Sequence, residues 1–386
     1  KHIYMVTGGA AMHLNDALGN QDSFEVHYLH HEQSCSIAAE SNARHSYIPS
    51  VVNVTAGPGS INAINGVFGA HVDSIPMIII SGQAKTTTLV NSYKDDKLRQ
   101  LGDQEVDICS AMRKMTKYIK QLRKPEDIKY ELEKCIYLSM NGRPGPCWLD
   151  IPIDIQGTFV DEKELIGFEH FNEKNHSLPN LHKNLPILLE KIKNSKRPLI
   201  YVGSGIRASD SCEKMINFAE QLSIPIVSSW NSNDLIWDDH QLFAGRPGTV
   251  GTRVGNYVVQ TCDVLLVLGA RLNIRQISYN WECFADQAWI CHIDIDESEL
   301  NKPTLSQDLK INSDLRDFFN LIDLKKLKAD LKPNETTRLK WINWINNLKK
   351  KYNFYYDQGN VANPKDKVNP YFFIHSLSKN LKEEDS

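Results

Sequence analysis

The 386-residue chain lacks several features that would each point to a class of protein. No apolar run approaches the roughly 20 residues of a membrane-spanning helix, and the first residues show no signal-peptide pattern. No Cys-x-x-Cys pair occurs; the eight cysteines stand apart at positions 35, 109, 135, 147, 212, 262, 283 and 291. Several, such as Cys147 and Cys262, lie beside apolar residues and read as small core hydrophobes. A reducing, cytoplasmic setting fits that usage best. No internal repeat and no low-complexity tract is found. Charge of one sign is lacking too: 44 Lys and Arg against 47 Asp and Glu leave a net charge of −3. The basic residues are spread, and Lys349-Lys350-Lys351 reads as a solvated helix face, which argues against a nucleic-acid binder held by phosphate contacts. Lys1 stands where a Met would, which predicts that the sequence begins inside a longer gene product.

What is present is the composition of a globular protein, 41% hydrophobic and 24% charged, with length for about two or three domains. Short β-like runs alternate with helical runs over residues 1–156: Ile3 to Val6, Phe24 to Leu29, Val51 to Val54, Met77 to Ile80 and Cys147 to Ile151. That alternation predicts an α/β fold with a doubly wound, mostly parallel sheet. Residues 157–186 are polar and read as a linker. A second α/β unit, 187–328, carries strand-like runs at Arg197 to Val202, Pro225 to Val227, Val264 to Leu268 and Trp289 to Ile295. Residues 329–386 hold a Trp-containing helical stretch from Glu335 to Tyr352, a loop with Gly359, Asn363 and Pro364, and a run from Asn369 that looks like the opening helix of another domain.

The most informative segment is His30-His31-Glu32-Gln33. It lies between a strand-like run and a helix-like run, Ser36 to His45, and ligands of open α/β sheets bind at the carboxyl ends of strands. The next strand runs into Thr55-Ala56-Gly57-Pro58-Gly59-Ser60-Ile61-Asn62. There Gly57 and Gly59 permit close approach of backbone to a ligand and Pro58 fixes the turn. His27, His30, His31 and Cys35 invite a metal reading, but all four lie within nine residues across a strand end, whereas zinc ligands usually come from two separated segments. No metal site is expected there. In the second unit, Gly203-Ser204-Gly205-Ile206-Arg207-Ala208 fits the G-x-G-x-x-A dinucleotide pattern. The acid expected at the end of the next strand is missing from Val227-Ser228-Ser229-Trp230, which disfavours a nicotinamide cofactor.

Together these pieces resemble the thiamine diphosphate enzymes that act on 2-oxo acids, in particular the acetolactate synthase branch. The resemblance rests on His31-Glu32-Gln33, Gly57-Pro58-Gly59 with Asn62, Gly82-Gln83, Gln104-Glu105, Lys117, Gly142-Arg143-Pro144-Gly145-Pro146 and Asp150-Ile151-Pro152-Ile153-Asp154-Ile155-Gln156, in order, and continues to about Lys302. It implies two domains of that fold, a pyrimidine-binding domain and a middle domain. It implies thiamine diphosphate as cofactor, with Glu32 against the aminopyrimidine ring and the cofactor acting as electron sink. Gln83, Gln104 and Lys117 match polar positions around the active-site entrance. Gly8, Gly9, His31, Thr55, Pro58 and Asn62 match the rest of the pyrimidine site. The middle domain of such proteins often holds FAD; Gly203, Gly205, Gly245, Gly269, Arg271 and Asp294 match its positions.

The implied reaction is decarboxylation of a 2-oxo acid, pyruvate foremost, with acyl transfer to a carbonyl acceptor. The implied assembly is a homodimer or homotetramer sharing active sites across subunits, with neither nucleic acid nor membrane as partner. A simple decarboxylase and a non-catalytic assembly subunit are the alternatives. Two departures stand out: Thr7 replaces a Pro, and Asp103 replaces a Phe beside the substrate, which suggests a more polar substrate or a different acceptor. Gly245-Arg246-Pro247-Gly248-Thr249 and Arg271 to Gln276 look closer to synthase-like proteins of surface-sugar pathways. No Gly-Asp-Gly, the mark of the Mg2+- and diphosphate-binding third domain, occurs in the chain, so that domain is expected to lie outside it.

Overall fold

The computed structural model describes residues 1–93, 97–169, 177–331, 335–352, 368–382 and 385. It divides into two compact units, Lys1–Lys174 and Asn175–Ser386. The loop with Gly359, Asn363 and Pro364 lies outside the described residues.

The first unit is a six-stranded sheet of β1 (His2–Met5), β2 (Glu25–Tyr28), β3 (Ser50–Val54), β4 (Met77–Gln83), β5 (Tyr118–Gln121) and β6 (Pro146–Pro152). The strand order is β2-β1-β3-β4-β6-β5, and every pairing is parallel. The helices are α1 (Met12–Gly19), α2 (Glu32–Ser46), α3 (Pro58–Asp73), α4 (Ile108–Met112), α5 (Ile128–Met140) and α6 (Ile153–Gln156). Central strands covered on both faces are apolar along their whole length; all seven residues of β6 are buried, and so are six of the seven of β4. From β1 the chain moves to one side of the sheet and from β3 to the other, so the crevice between their carboxyl ends is the topological switch point.

Two helices bound that crevice. The His31 ring caps α2 by accepting from the Gln33 amide, so the helix starts at Glu32 itself, earlier than the run from Ser36 suggests. Pro58 at its first turn opens α3, which likewise begins ahead of Ile61. The two cross closely because small residues face each other. A β-carbon on Gly66 would fall 2.5 Å from the Ser36 backbone carbonyl carbon and Oγ.

The second unit is a five-stranded parallel sheet of β7 (Pro198–Val202), β8 (Ile226–Ser228), β9 (Val264–Leu268), β10 (Trp289–Asp294) and β11 (Leu309–Asn312), in the order β11-β10-β9-β7-β8. Its helices are α7 (Ser177–Asn194), α8 (Gly205–Ala208), α9 (Cys212–Leu222), α10 (Arg253–Thr261), α11 (Ile274–Ile277), α12 (Glu297–Leu300), α13 (Leu315–Leu321), α14 (Leu324–Leu331), α15 (Glu335–Lys351) and α16 (Pro370–Asn380). Apolar clusters cover both sheet faces, one around Phe218 and Phe318, the other around Tyr201 and Trp341. The stretch 157–186, read above as linker, includes the start of α7. There Leu181 and Leu185 recur at helical spacing and are buried against the sheet, despite polar neighbours. Arg338 on α15 is buried and donates to the carbonyls of Leu222 and Ile192, at the ends of α9 and α7. It thereby satisfies carbonyls that helix ends leave open.

Candidate active site

At the carboxyl edge of the first sheet the structure assembles residues from four loops. Gly8 follows β1 and packs on Thr55, which follows β3; a β-carbon on Gly8 would lie 2.5 Å from Thr55 Cβ. Gly9 is open on the side where a β-carbon would stand. Gly57 has φ +56°, a conformation open to glycine, and a β-carbon there would fall 2.0 Å from the Gln104 carbonyl oxygen. Gln104 is itself left-handed at φ +56°, unusual for a side chain of its size. Glu105 holds that loop by accepting from the amides of Val90, Leu101 and Gly102.

Glu32 is half-buried at the first position of α2. Its Oε2 accepts from Asn62 Nδ2 at 3.0 Å, a pairing across α2 and α3. Its Oε1 faces Gly59, where a β-carbon would come within 3.3 Å. One carboxylate oxygen is thus anchored and the other is left beside a residue with no side chain. Cys35, one turn on, is no competing nucleophile. Burial first, and then the Glu32 charge, push its thiol up to about 11.

The structure brings together Gly8, Gly9, His31, Glu32, Thr55, Pro58, Asn62 and Gln104. Lys117 is not among them, and Gln83, though it ends β4 at the same edge, has its amide turned to partners inside the protein. Gln83 is buried, with Nε2 donating to the Val106 carbonyl at 2.9 Å and to Asp150 Oδ2 at 3.0 Å, and Oε1 accepting from the Ala84 amide. Every polar atom of its amide is committed inside the protein. Lys117 precedes β5, at the amino edge of the sheet, and its Nζ donates to the carbonyls of Asn141 and Arg143. It ties down the turn before β6, and burial lowers its pKa.

Sequence reasoning placed Asp150 in a matching segment without giving it a role, and the structure makes it the hub of the polar core. Asp150, fully buried on β6, accepts from Ser81 Oγ at 2.6 Å, Gln83 Nε2 and Gln121 Nε2 at 2.7 Å, while Trp148 Nε1 donates to Ser81. Burial drives its carboxyl up to about 6, although those three donors pull the other way. The available signal was an acid in the middle of an apolar strand, which requires internal partners. Asp154 and Gln156 of the same segment also have structural partners. Burial alone would raise the Asp154 pKa, but the Thr86 hydroxyl and amide hold it below the usual carboxylate range. Gln156 Nε2 donates to Ala10 and Ile151 carbonyls, pinning the loop after β1.

The second unit repeats the geometry. Its switch point lies between the carboxyl ends of β7 and β9, where Gly205 N donates to the Gly269 carbonyl at 3.1 Å. A β-carbon on Gly203 would fall 2.2 Å from the same oxygen. A pocket opens there, lined by Gly203, Ser204, Trp230, Gly269, Arg271 and Arg275. Gly245, at φ +102°, lies outside the lining, in a loop closed by Thr252. Asp294, at the end of β10, accepts from the Asp296 amide.

Comparison with known proteins matches both units to domains of one family. Residues 1–111 match the N-terminal TPP binding domain of thiamine pyrophosphate enzymes, and residues 186–322 match their central domain. The chain belongs to the thiamine pyrophosphate enzymes. Its relatives include the probable acetolactate synthase large subunit of Methanocaldococcus jannaschii, 32% identical over 91% of this chain and 57% of that protein. The acetolactate synthase large subunit of Lactococcus lactis is 32% identical over 93% of this chain and 59% of its own length. That of Buchnera aphidicola subsp. Schizaphis graminum is 30% identical over 98% and 63%. The chain therefore spans about three-fifths of the length of these relatives. Among the described residues no helix is long and apolar enough to cross a membrane.

Proposed function

We propose that this thiamine pyrophosphate enzyme is acetolactate synthase-like: it decarboxylates a 2-oxo acid, pyruvate foremost, and transfers the acyl unit to a carbonyl acceptor. The observation that carries the reading is the Glu32 carboxylate at the switch point, anchored through Oε2 by Asn62 and open through Oε1 beside Gly59. An anchored carboxylate with one open oxygen suits a ring nitrogen that must exchange a proton, so these residues fit the aminopyrimidine end of thiamine diphosphate. When bound, the cofactor supplies the electron sink for decarboxylation. Glu32 holds and returns the proton at Oε1. Asn62 fixes the carboxylate plane, the His31 cap sets where α2 begins, and the Gly57-Pro58-Gly59 turn keeps that wall free of side chains. The exposed Asp103 beside Gln104 offers a charge to a polar acceptor. The diphosphate and its Mg2+ are assigned to a further domain rather than to residues of this chain.

The second-unit pocket fits a phosphate-bearing nucleotide, because Arg271, Arg275 and the half-exposed Trp230 line one crevice. FAD held by Gly203, Gly269 and Arg271 is the reading that pocket supports. Shared sites further imply a homo-oligomer. Ile61 and Phe68, seven residues apart on α3, are 48% and 52% exposed and offer an apolar stripe for a second copy.

Glu32→Gln in the full-length protein tests the catalytic reading. Gln keeps the volume and can still accept from Asn62, so the fold should hold. Acetolactate formation from pyruvate, with thiamine diphosphate and Mg2+ present, should fall by about 10²–10⁴-fold, the usual contribution of a proton-transfer group. Retention of more than about a tenth of the rate would remove Glu32 from the mechanism.

A further inference from the structure

The amino edge of the first sheet carries a cluster that the carboxyl-edge site does not use. In the parallel pairing of β1 with β2, His2 stands opposite Glu25 and Tyr4 opposite His27. Side chains two apart on a strand share a face, so the register gathers all four on one side of the sheet. His2 Nδ1 lies 3.2 Å from His27 Nε2; Glu25 Oε2 lies 3.4 Å from His2 Nδ1, and Glu25 Oε1 lies 3.5 Å from His27 Nε2. The three side chains offer one ligand atom each, all mutually within 4.8 Å.

Those separations suit a metal ion. Ligands about 2.0–2.1 Å from a tetrahedral ion stand roughly 3.3–3.4 Å from one another. The carboxylate straddles the two rings, so a rotation about its last torsion selects one-oxygen or two-oxygen ligation. The rings are also held in place: Tyr4 stacks on His27 with centroids 4.8 Å apart and planes 17° apart, and Tyr4 Oη in turn accepts from Asn42. Such outer support is what orients metal-binding imidazoles. Two imidazoles and a carboxylate favour a borderline ion such as Zn2+ over Mg2+ or Ca2+, which prefer all-oxygen sets. The side chains are 36%, 33% and 65% exposed for His2, His27 and Glu25, which leaves solvent access for the ion and for further ligands. The His27, His30, His31 and Cys35 grouping considered from sequence is not the site. His31 Nδ1 is engaged in capping α2, and Cys35 is buried as a thiol.

We propose that His2 Nδ1, His27 Nε2 and the Glu25 carboxylate form a three-ligand site for a divalent transition-metal ion of the zinc class, its remaining positions open to water or an external ligand. The ion pins the edge strand β2 to β1, and β2 leads directly into the His31-Glu32 turn. The inference is independent of the proposed reaction, because none of the three ligands is among the residues gathered around Glu32.

Tag-free full-length protein, stripped with a chelator, is titrated with Zn2+ against a chromophoric chelator, and separately with Co2+ by visible absorption. Wild type should bind one Zn2+ equivalent that is lost in His27→Gln and in His2→Gln, each weakening it by more than the ~10–100-fold typical of removing an outer-shell partner. The Co2+ spectrum should show a low-symmetry, tetrahedral-type band that vanishes in the same variants and persists in the control His45→Gln. Zn2+ should raise the thermal midpoint of wild type but not of Glu25→Gln, a surface change that leaves the core intact. Absence of the tight equivalent, or an equal affinity and spectrum in both histidine variants, overturns the site.

Discussion

The buried Asp150 makes a prediction that can be worked through to a number. Its carboxyl is pushed from 3.8 to about 6, chiefly by burial, against the pull of Ser81, Gln121 and Gln83. The folded form binds this proton more tightly than the unfolded form. The associated stability is therefore fully present below the unfolded value and is lost as pH rises through about 6. A shift of this size amounts to about 3 kcal/mol in all, of which about 2 kcal/mol falls between about pH 4.5 and about pH 7.5. Asp150→Asn removes the titration. The new amide needs an acceptor, and Gln121 Oε1, buried and without a partner, becomes available when the Gln121 amide turns over. The variant should thus gain about 2 kcal/mol on wild type as pH is raised across that interval, whatever their difference at the acid end. Urea unfolding at constant ionic strength, followed by pulsed amide exchange and mass spectrometry on peptides from β4 and β6, isolates the first unit. A wild-type-to-variant difference that stays flat with pH, or moves in the variant's disfavour as pH rises, would refute the claim that burial outweighs the three donors.

Three further outcomes are expected. Gly66→Ala should lower stability: the helix-propensity gain of about 1 kcal/mol is outweighed by about 1–3 kcal/mol of overpacking against the α2 backbone, and a denaturation midpoint at or above wild type would contradict the close crossing. Phe68→Asp in the full-length protein should shift the mass seen by light scattering toward the monomer, and an unchanged oligomer would take α3 out of the interface. Purified protein should be yellow and release FAD on denaturation, with less retained in Arg271→Ala; a colourless preparation that takes up no added FAD would end the flavin reading and leave the thiamine site standing.

The recurrence of strand-like and helix-like runs was enough to read an α/β fold with parallel sheets, because hydrophobic periodicity is local and survives without any tertiary information. Glu32 at a strand-to-helix junction and the Gly57-Pro58-Gly59 turn were legible for the same reason: a cap, a Pro and a Gly carry their backbone geometry with them. The strands left unread were β5 and β11, whose sequences Tyr-Ile-Lys-Gln and Leu-Lys-Ile-Asn are short and carry lysine, as edge strands do. Their strand character comes from a neighbour's hydrogen bonds rather than from their own composition.

What only the tertiary structure decided is who meets whom. Sheet order sent Gln83 inward to Asp150 and left Lys117 at the amino edge, while helix crossing brought Asn62 to Glu32 from 30 residues away. Strand register set His2, Glu25 and His27 on one face across 25 residues. Sequence determines each residue's local geometry and polarity; pairing register, sheet order and helix packing depend on contacts between distant segments, and it is those contacts that turn separate polar residues into a site.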